Sequence, residues 1–451
     1  MIYLITRFNK FLKFSSVVVG QKKIVFVFLF FIESIFCAVP ASGATRTGEV
    51  TLQEAFQLAR GRSTTVALTS NQIDQTDAQI NQARAGYLPV LSLQASTFQQ
   101  AQSSDLLVKS NSGEPQTTTN INLSQNIFQG FRDINSVHQR DQLKLGYEWV
   151  KKQALDQLYK DVAQAFYSIL IFQSDILVYK EQTESTRQRR SELGSAKKSG
   201  RARDSDLLTV DSAVASLEVA ISRAQAQLIV FQESFTVLTG LSDDVKLVNT
   251  ISLPKEIESV GTWLEHAEQR PDIQQSKIFL LAADDGIKVA RSGFYPSLGL
   301  SANYYFSRPE GIASDVDWDA GLVLSFPFFS GGLTKAQVSE ATLIRQAKEL
   351  NLRRTRELAT QIIRTTFATV QSDLDQLSKL TRASDLSRRS HDLVRRDNRL
   401  GVATNADVLS SLQIWQETKR NLERIRITAT YDYVRLLVES AKSSPSEASN
   451  E

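Results

Sequence analysis

The feature that most constrains the fold is a helix-to-strand junction that occurs twice in the chain. Residues 83–89 read ARAGYLP and residues 290–296 read ARSGFYP, so alanine, arginine, glycine and proline recur in register 207 residues apart. In both copies, apolar and polar residues alternate after the proline. A proline disfavours helix in the residue before it, and alternation is typical of a strand with two different faces. The fold must therefore accommodate the same turn from helix to strand at two places.

Two further pairs of segments show that the repetition extends beyond this junction. Residues 126–136 resemble 327–337, and residues 200–208 resemble 401–409, in both cases 201 residues apart. Because these landmarks keep the same order, we interpret the chain as a tandem duplication. The predicted units are a leader at 1–43, a first repeat at 44–255, a second repeat at 256–441 and a flexible tail at 442–451.

The distribution of proline predicts very long helices. No proline lies between Pro115 and Pro254, or between Pro327 and Pro445. The first of these spans also contains apolar residues at alternating spacings of three and four, which is typical of a coiled coil. A helix of nearly 70 residues is about 100 Å long, far more than one globular domain spans. The predicted helices are about 132–198, 204–239, 333–399 and 405–440.

Two predicted hairpins interrupt the helices, with strands at about 88–100, 117–128, 295–306 and 317–328. Their alternation puts apolar side chains on one face and small polar ones on the other, as in a strand between lipid and a wet lumen. Aromatic residues at the strand ends favour a membrane, although a half-buried strand of a soluble sheet shows the same alternation. The predicted lipid-facing residues are Leu298, Leu300, Trp318, Leu322 and Leu324.

Four strands are too few for a closed membrane barrel, which needs at least about eight. An open sheet edge in lipid would leave backbone groups without hydrogen bonds, at several kcal/mol each. The barrel must therefore be completed by self-association. Three chains would supply twelve strands, whereas two chains would close a barrel barely wide enough for its own side chains.

The first 43 residues have the pattern of a signal peptide. A basic stretch precedes an apolar run at 24–39, and small residues follow at 41–44. The alternative is a retained membrane anchor, which Glu33 makes costly because it interrupts the apolar run. The chain has 52 basic and 49 acidic residues, and the leader contains five of the basic ones and one acidic one. The exported part is therefore almost neutral, which speaks against nucleic acid as a partner.

The sequence offers no constellation of residues for catalysis, a metal or a cofactor. Cys37 is the only cysteine and lies within the leader. The three histidines, His138, His266 and His391, are far apart in the sequence, and their spacing matches no metal site. We expect them to have surface or packing roles.

In the order and spacing of these motifs, the chain resembles the TolC family of outer-membrane efflux and type I secretion channels. The resemblance covers about 50–441 and includes GYLP and GFYP before the strands, RPDI at 270–273 and PFFSGG at 327–332. It implies a homotrimer in which a twelve-stranded outer-membrane barrel continues into a helical tunnel across the periplasm. It also implies a passive exit duct that works with a periplasmic adaptor and an inner-membrane pump of the RND or ABC type.

The resemblance also implies roles for residues at the helix turns. Asp407 matches the acidic residue of the family's periplasmic entrance, and Asp206 matches its counterpart in the first repeat. Gly200 and Gly401 lie where the helices turn and where the partner docks. Asp407 and Asp206 could instead cap helices, because an aspartate in the first helical turn stabilises the helix dipole. At the level of function, the alternatives are a periplasmic adaptor and a structural coiled-coil trimer of the envelope.

Overall fold

A computed structural model describes residues 48–99, 115–198, 202–242, 245–309 and 315–442. The predicted leader at 1–43, Gly200 and all but Lys442 of the predicted tail lie outside these residues. The described chain is mainly helical with a small β part, which confirms the predicted fold class.

The helices and strands follow one another in two similar series. The first series is β1 (Glu49–Val50), α1 (Leu52–Arg62), α2 (Thr64–Ala85), β2 (Val90–Phe98), β3 (Gln116–Gln129), α3 (Arg132–Lys198) and α4 (Asp204–Thr239). The second is β4 (Lys246–Leu247), α5 (Val260–Glu265), α6 (Pro271–Arg291), β5 (Ser297–Ser307), β6 (Trp318–Ser325), α7 (Leu333–Arg399) and α8 (Asn405–Glu439).

The two longest helices, α3 and α7, have 67 residues each and are therefore about 100 Å long. α3 pairs with α4, α7 pairs with α8, and α3 also packs against α8. In the other half of their length, α3 and α7 both contact α6, and α2 covers α3. The helices therefore form a wall with α2 and α4 along one side and α7 along the other.

A four-stranded antiparallel sheet crosses one end of this wall in the order β2–β3–β5–β6. The two hairpins thus join through β3 and β5, and β2 and β6 are the edge strands. β6 ends at Ser325, three residues earlier than the sequence predicts, directly before Phe326 and Pro327. Proline has no N–H to donate, so a sheet ladder does not continue through it.

The largest apolar core lies where α1, α3, α4 and the short pair β1–β4 meet. Phe56, Phe166 and Tyr167 are almost completely buried there, and Phe235 of α4 packs against Phe166. The predicted stripes on α3 and α4 are both buried or half-buried over much of their length. Other apolar side chains of α4, outside its stripe, are exposed: Val237 by 77% and Leu208 by 69%. A single chain therefore leaves much of α4 without an apolar partner.

Candidate functional site

The sheet places all five predicted lipid-facing residues on one face. Leu298 pairs with Leu324, Leu300 with Leu322 and Tyr304 with Trp318. Since alternate residues of a strand point to the same side, these pairs share a face. Trp318, Leu322 and Leu324 lie on the edge strand and are 65–69% exposed, whereas Leu298 and Leu300 are half-buried between β3 and β6. The alternation in the sequence thus predicted that these five residues share one face of the sheet. Whether a residue lies on an edge strand or a central strand determines how exposed its side chain is.

The opposite face carries a chain of polar side chains across three strands. Asn120 and Asn122 of β3 both donate to Asn303 Oδ1, at 3.1 and 2.7 Å. Asn303 donates in turn to Asp319 Oδ1 of β6 at 2.8 Å, and the guanidinium of Arg308 lies 3.5 Å from Asp319 Oδ2. A polar network on one face and apolar residues on the other are typical of a barrel strand with a wet lumen. The alternation showed that these positions are polar, but only the strand register brings them into contact.

Exposed aromatic rings surround the junction between the sheet and the long helices. Phe328 is 89% exposed and Phe329 is 83% exposed. Phe131 lies 5.1 Å from Phe128 and 6.3 Å from Tyr295, measured between ring centres. Rings of this kind favour the boundary between lipid and water. The exposed rings at this junction are therefore of the kind found at a membrane boundary.

The junction has the same unusual backbone in both repeats. Gly130 and Phe131 have φ of 61° and 66°, and Gly331 and Gly332 have φ of 62° and 85°. This left-handed conformation is easy for glycine but costs a phenylalanine about 1 kcal/mol. Phe131 thus corresponds to Gly332 of the second repeat. Comparison of the two repeats did not reveal this position in the sequence, because the two residues differ.

At the far end of the helices, Gly401 has φ of 80° and turns the chain from α7 into α8. Thr404 then caps α8: its hydroxyl accepts from the Asp407 amide at 3.2 Å, and its own amide donates to Asp407 Oδ2 at 2.8 Å. Hydrogen bonds from the hydroxyl and amide of Thr404 lower the pKa of Asp407 below its usual range. Asp407 is exposed, and its charge therefore faces water. The same side chain also caps α8.

Asp206 occupies the corresponding position in α4 and also connects the two repeats. Its Oδ2 accepts from the Arg203 amide at 3.0 Å and from Asn405 Nδ2 of α8 at 3.2 Å. The two predicted entrance aspartates therefore lie at the same end of the helices, one in each hairpin.

Arg189 forms the centre of a second set of contacts between the two hairpins. Its guanidinium donates to Asn398 Oδ1 at 2.9 Å, to Asn405 Oδ1 at 2.7 Å and to Glu192 Oε2 at 2.9 Å. Glu192 also pairs with Arg395 of α7 at 2.9 Å. Burial alone would raise the pKa of Glu192, but the two arginines lower it below its usual range. The basic segments 187–191 and 388–399 thus contribute ion pairs between helices.

Within the described ranges, no three His, Cys, Asp or Glu side chains are grouped as a metal site would need. His391 is buried, and its ring stacks on Trp415 at 5.6 Å between centres while Nδ1 lies 3.1 Å from Ser411 Oγ. This histidine packs α7 against α8. The notable surfaces of the molecule are therefore the two-faced sheet and the helix tip.

Comparison with known proteins agrees with this geometry. The family model described as "Outer membrane efflux protein" matches residues 55–241 and 265–437. The probable efflux pump outer membrane protein TtgC of Pseudomonas putida is 23% identical over 377 residues, covering 80% of this chain and 76% of its own. The cation efflux system protein CusC of Escherichia coli is 26% identical over 192 residues, covering 39% and 42%.

A solved structure has the same fold over nearly the whole chain. The outer membrane protein VceC of Vibrio cholerae superposes with a TM-score of 0.76 at 17% identity, covering 86% of this chain and 95% of its own. The family model covers both hairpins of long helices and both pairs of strands. The chain therefore belongs to the outer membrane efflux protein family.

Proposed function

We propose that this protein is the outer-membrane exit duct of a tripartite efflux or type I secretion system. The observation that carries the proposal is a four-stranded sheet with one apolar face, one polar face and two open edges, at the end of a helical wall about 100 Å long. Such a sheet suits a barrel wall only when its edges are paired. The long helices supply a conduit on the periplasmic side.

Closure requires other copies of the chain, and we propose three. The edge strand β6 of one chain would pair with β2 of the next, which yields twelve strands around a lumen. The same arrangement brings α7 of one chain against α4 of its neighbour. α7 has 14 basic and 8 acidic residues, whereas α4 has one basic and five acidic. This opposite charge, together with the exposed apolar side chains of α4, supports a homotrimer.

Asp407 is proposed to line the periplasmic entrance, where three copies would concentrate negative charge and favour cations. Asp206 would add to this charge from the first hairpin. Ser410 stands one turn beyond Asp407, so a second acidic ring at that position is not part of the proposal.

Replacing Asp407 with Asn is expected to weaken cation selectivity and block by polyvalent cations in planar bilayers. The amide keeps an oxygen that can accept the Thr404 hydrogen bonds, so the charge is lost while the helix cap is retained. Thr404→Val is the matched control, since it removes the cap and leaves the charge. If cation selectivity changes in Thr404→Val but not in Asp407→Asn, the role of Asp407 is limited to capping α8.

The helix tip is the proposed docking site for a periplasmic adaptor, which would connect the duct to an inner-membrane pump of the RND or ABC type. Leu400 and Val402, on either side of Gly401, are 78% and 79% exposed. Exposed apolar side chains at a sharp turn are unfavourable in water, and a bound partner protein can bury them. Gly200 is proposed to mark the equivalent turn of the first hairpin.

Val402→Asp is expected to reduce cross-linking to the adaptor encoded beside this protein by about tenfold, which corresponds to about 1.4 kcal/mol of lost contact energy. Single-channel conductance should stay normal, because the substitution lies in an exposed turn. Leu177→Asp, on the exposed face of α3 and away from the edges of the wall, is the control for a charge placed elsewhere. Equal cross-linking of the Val402 variant and the unmodified protein would contradict docking at this turn.

Unitary conductance steps from purified protein would separate the duct from its alternatives. A periplasmic adaptor or a structural coiled-coil trimer would give no such steps. Relatives include a protein named for cation efflux and one named for an efflux pump. We therefore propose that the pump, rather than the duct, selects the cargo.

A further inference from the structure

Two buried aspartates face each other between the second pair of long helices. Asp373 of α7 is 6% exposed and Asp432 of α8 is 8% exposed. Each carboxyl group acts on the pKa of the other, and the residues beside both pack in one cluster between the helices, so the two aspartates form a pair across the α7–α8 contact. Asp373 Oδ2 is buried and has no hydrogen-bond partner in the described part of the chain.

The surroundings of this pair are apolar. Val370 and Leu374 flank Asp373 on α7, and Tyr433 and Leu436 flank Asp432 on α8. These four residues belong to one apolar cluster, which also contains the buried Trp263 of α5. Arg435 on α8 is the cation whose charge acts on Asp432. Two carboxylates that face each other in such a setting repel strongly when both are ionised.

Glu439 at the end of α8 shows how another buried carboxylate of these helices is stabilised by cations, which lower its pKa in spite of burial. Glu439 of α8 lies 2.8 Å from Lys160 and 2.9 Å from Arg270. Asp373 and Asp432 form no ion pair with a cation among the described residues. Each carboxyl group faces the other one.

We propose that Asp373 and Asp432 share one proton, and that this proton joins α7 to α8 at the level of α5. One carboxyl group donates its proton to an oxygen of the other, and the pair carries a single negative charge. When the proton leaves, two carboxylates face each other and the helices separate locally. The inference concerns the α7–α8 hairpin alone and does not depend on the proposed exit-duct function.

The direction of the pH effect follows from the raised pKa. Burial and the charge of Asp432 raise the pKa of Asp373 to about 6, and burial raises the pKa of Asp432. A carboxyl whose pKa is higher in the folded protein than in the unfolded chain favours folding while it is protonated. The stabilisation is therefore present below about pH 4 and declines as the pH rises through about 6. Most acids that are paired with cations show the opposite trend.

The test compares thermal unfolding of the purified full-length protein at pH 5 and pH 7.5. Asp373→Asn places a permanent hydrogen-bond donor beside Asp432, as the shared proton does. It is expected to raise Tm by about 2–4 °C at pH 7.5 and to change it little at pH 5. Asp432→Asn should behave in the same way. Glu439→Gln, which removes the charge that pairs with Lys160 and Arg270, should lower Tm at both values.

Infrared spectroscopy supplies a readout that does not depend on stability. The unmodified protein at pH 5 should show the absorption of a protonated carboxyl group that disappears at pH 7.5 and is missing from Asp373→Asn. Absence of this band at pH 5, or a Tm of Asp373→Asn that is lowered at pH 7.5, would overturn the proposal. A rise in Tm caused by Mg²⁺ at pH 7.5 and lost in Asp373→Asn would also overturn it, because a metal ion would then occupy the place of the proton.

His391 of α7 is a second buried titratable group, and its effect on the pH dependence of stability has the opposite sign. Burial and the charges of Arg395 and Arg189 lower its pKa, whereas Asp392 raises it. Its neutral form favours the folded state, so stability is lost as the pH falls. Because Asp373→Asn leaves His391 unchanged, the difference between variant and unmodified protein isolates the aspartate pair.

Discussion

Leu300→Arg is expected to abolish insertion of the protein into the outer membrane. Leu300 lies on the apolar face of the sheet, opposite Leu322 on β6. An arginine on the lipid face near the middle of the bilayer costs about 2–4 kcal/mol, and a trimer would contain three of them. The total, about 6–12 kcal/mol, is comparable with the whole stability of a typical domain. The measurement is the amount of trimer in the outer-membrane fraction.

Ser301→Arg is the matched control for this variant. Ser301 is the next residue of the same strand and points to the polar face, opposite Gly321. A side chain added there would extend into the lumen and meet water, so assembly should proceed. Normal assembly of Leu300→Arg together with failure of Ser301→Arg would reverse the assignment of the two faces.

Arg270→Ala is expected to destabilise the helical wall by about 3–5 kcal/mol, the usual cost of leaving one member of a buried ion pair without its partner. The Arg270 side chain is 10% exposed and lies 2.9 Å from Glu439 Oε2 and 2.8 Å from Asp272 Oδ2. It also donates to the carbonyl oxygen of Glu439 at the end of α8. The substitution would therefore release the end of α8 from the start of α6. Chemical denaturation followed by circular dichroism measures the loss.

The pH dependence of this variant supplies an internal check. Burial would raise the pKa of Glu439, but Lys160 and Arg270 outweigh it and lower the pKa below its usual range. Glu439 therefore stabilises the protein above about pH 4.5 and loses this effect as the pH falls. In Arg270→Ala this loss on acidification should shrink. The double variant Arg270→Met, Glu439→Met removes both buried charges and leaves unpaired only Lys160 and Asp272, whose side chains are 25% and 23% exposed, so it should recover part of the stability. If it remains as unstable as Arg270→Ala, the packing of Arg270 rather than its charge is responsible.

The exposed side of α4 shows where reasoning from one chain ends. The regular seam predicted on this helix is buried or half-buried, yet Leu208, Val219 and Val237, which lie outside the seam, are largely exposed. Periodicity identifies one apolar stripe and does not account for further apolar residues on the other side of a helix. In the proposed trimer, α7 of a neighbouring chain covers these residues.

The amino-acid sequence by itself determined the long helices, the two hairpins and the faces of the strands, because these follow from local patterns. Absence of proline permits a continuous helix, spacings of three and four mark its apolar side, and alternation assigns each strand residue to a face. Gly401 and Asp407 were likewise identifiable from a turn and a helix start that lie close together in the chain.

Only the tertiary structure decided which distant side chains meet. Arg270 and Glu439 are 169 residues apart, and Arg189 and Asn405 are 216 apart. Asp373 and Asp432 come together only because α7 folds back on α8 in one particular register. The energy of such contacts depends on distance and burial, and neither quantity is encoded in the identity of the residues alone.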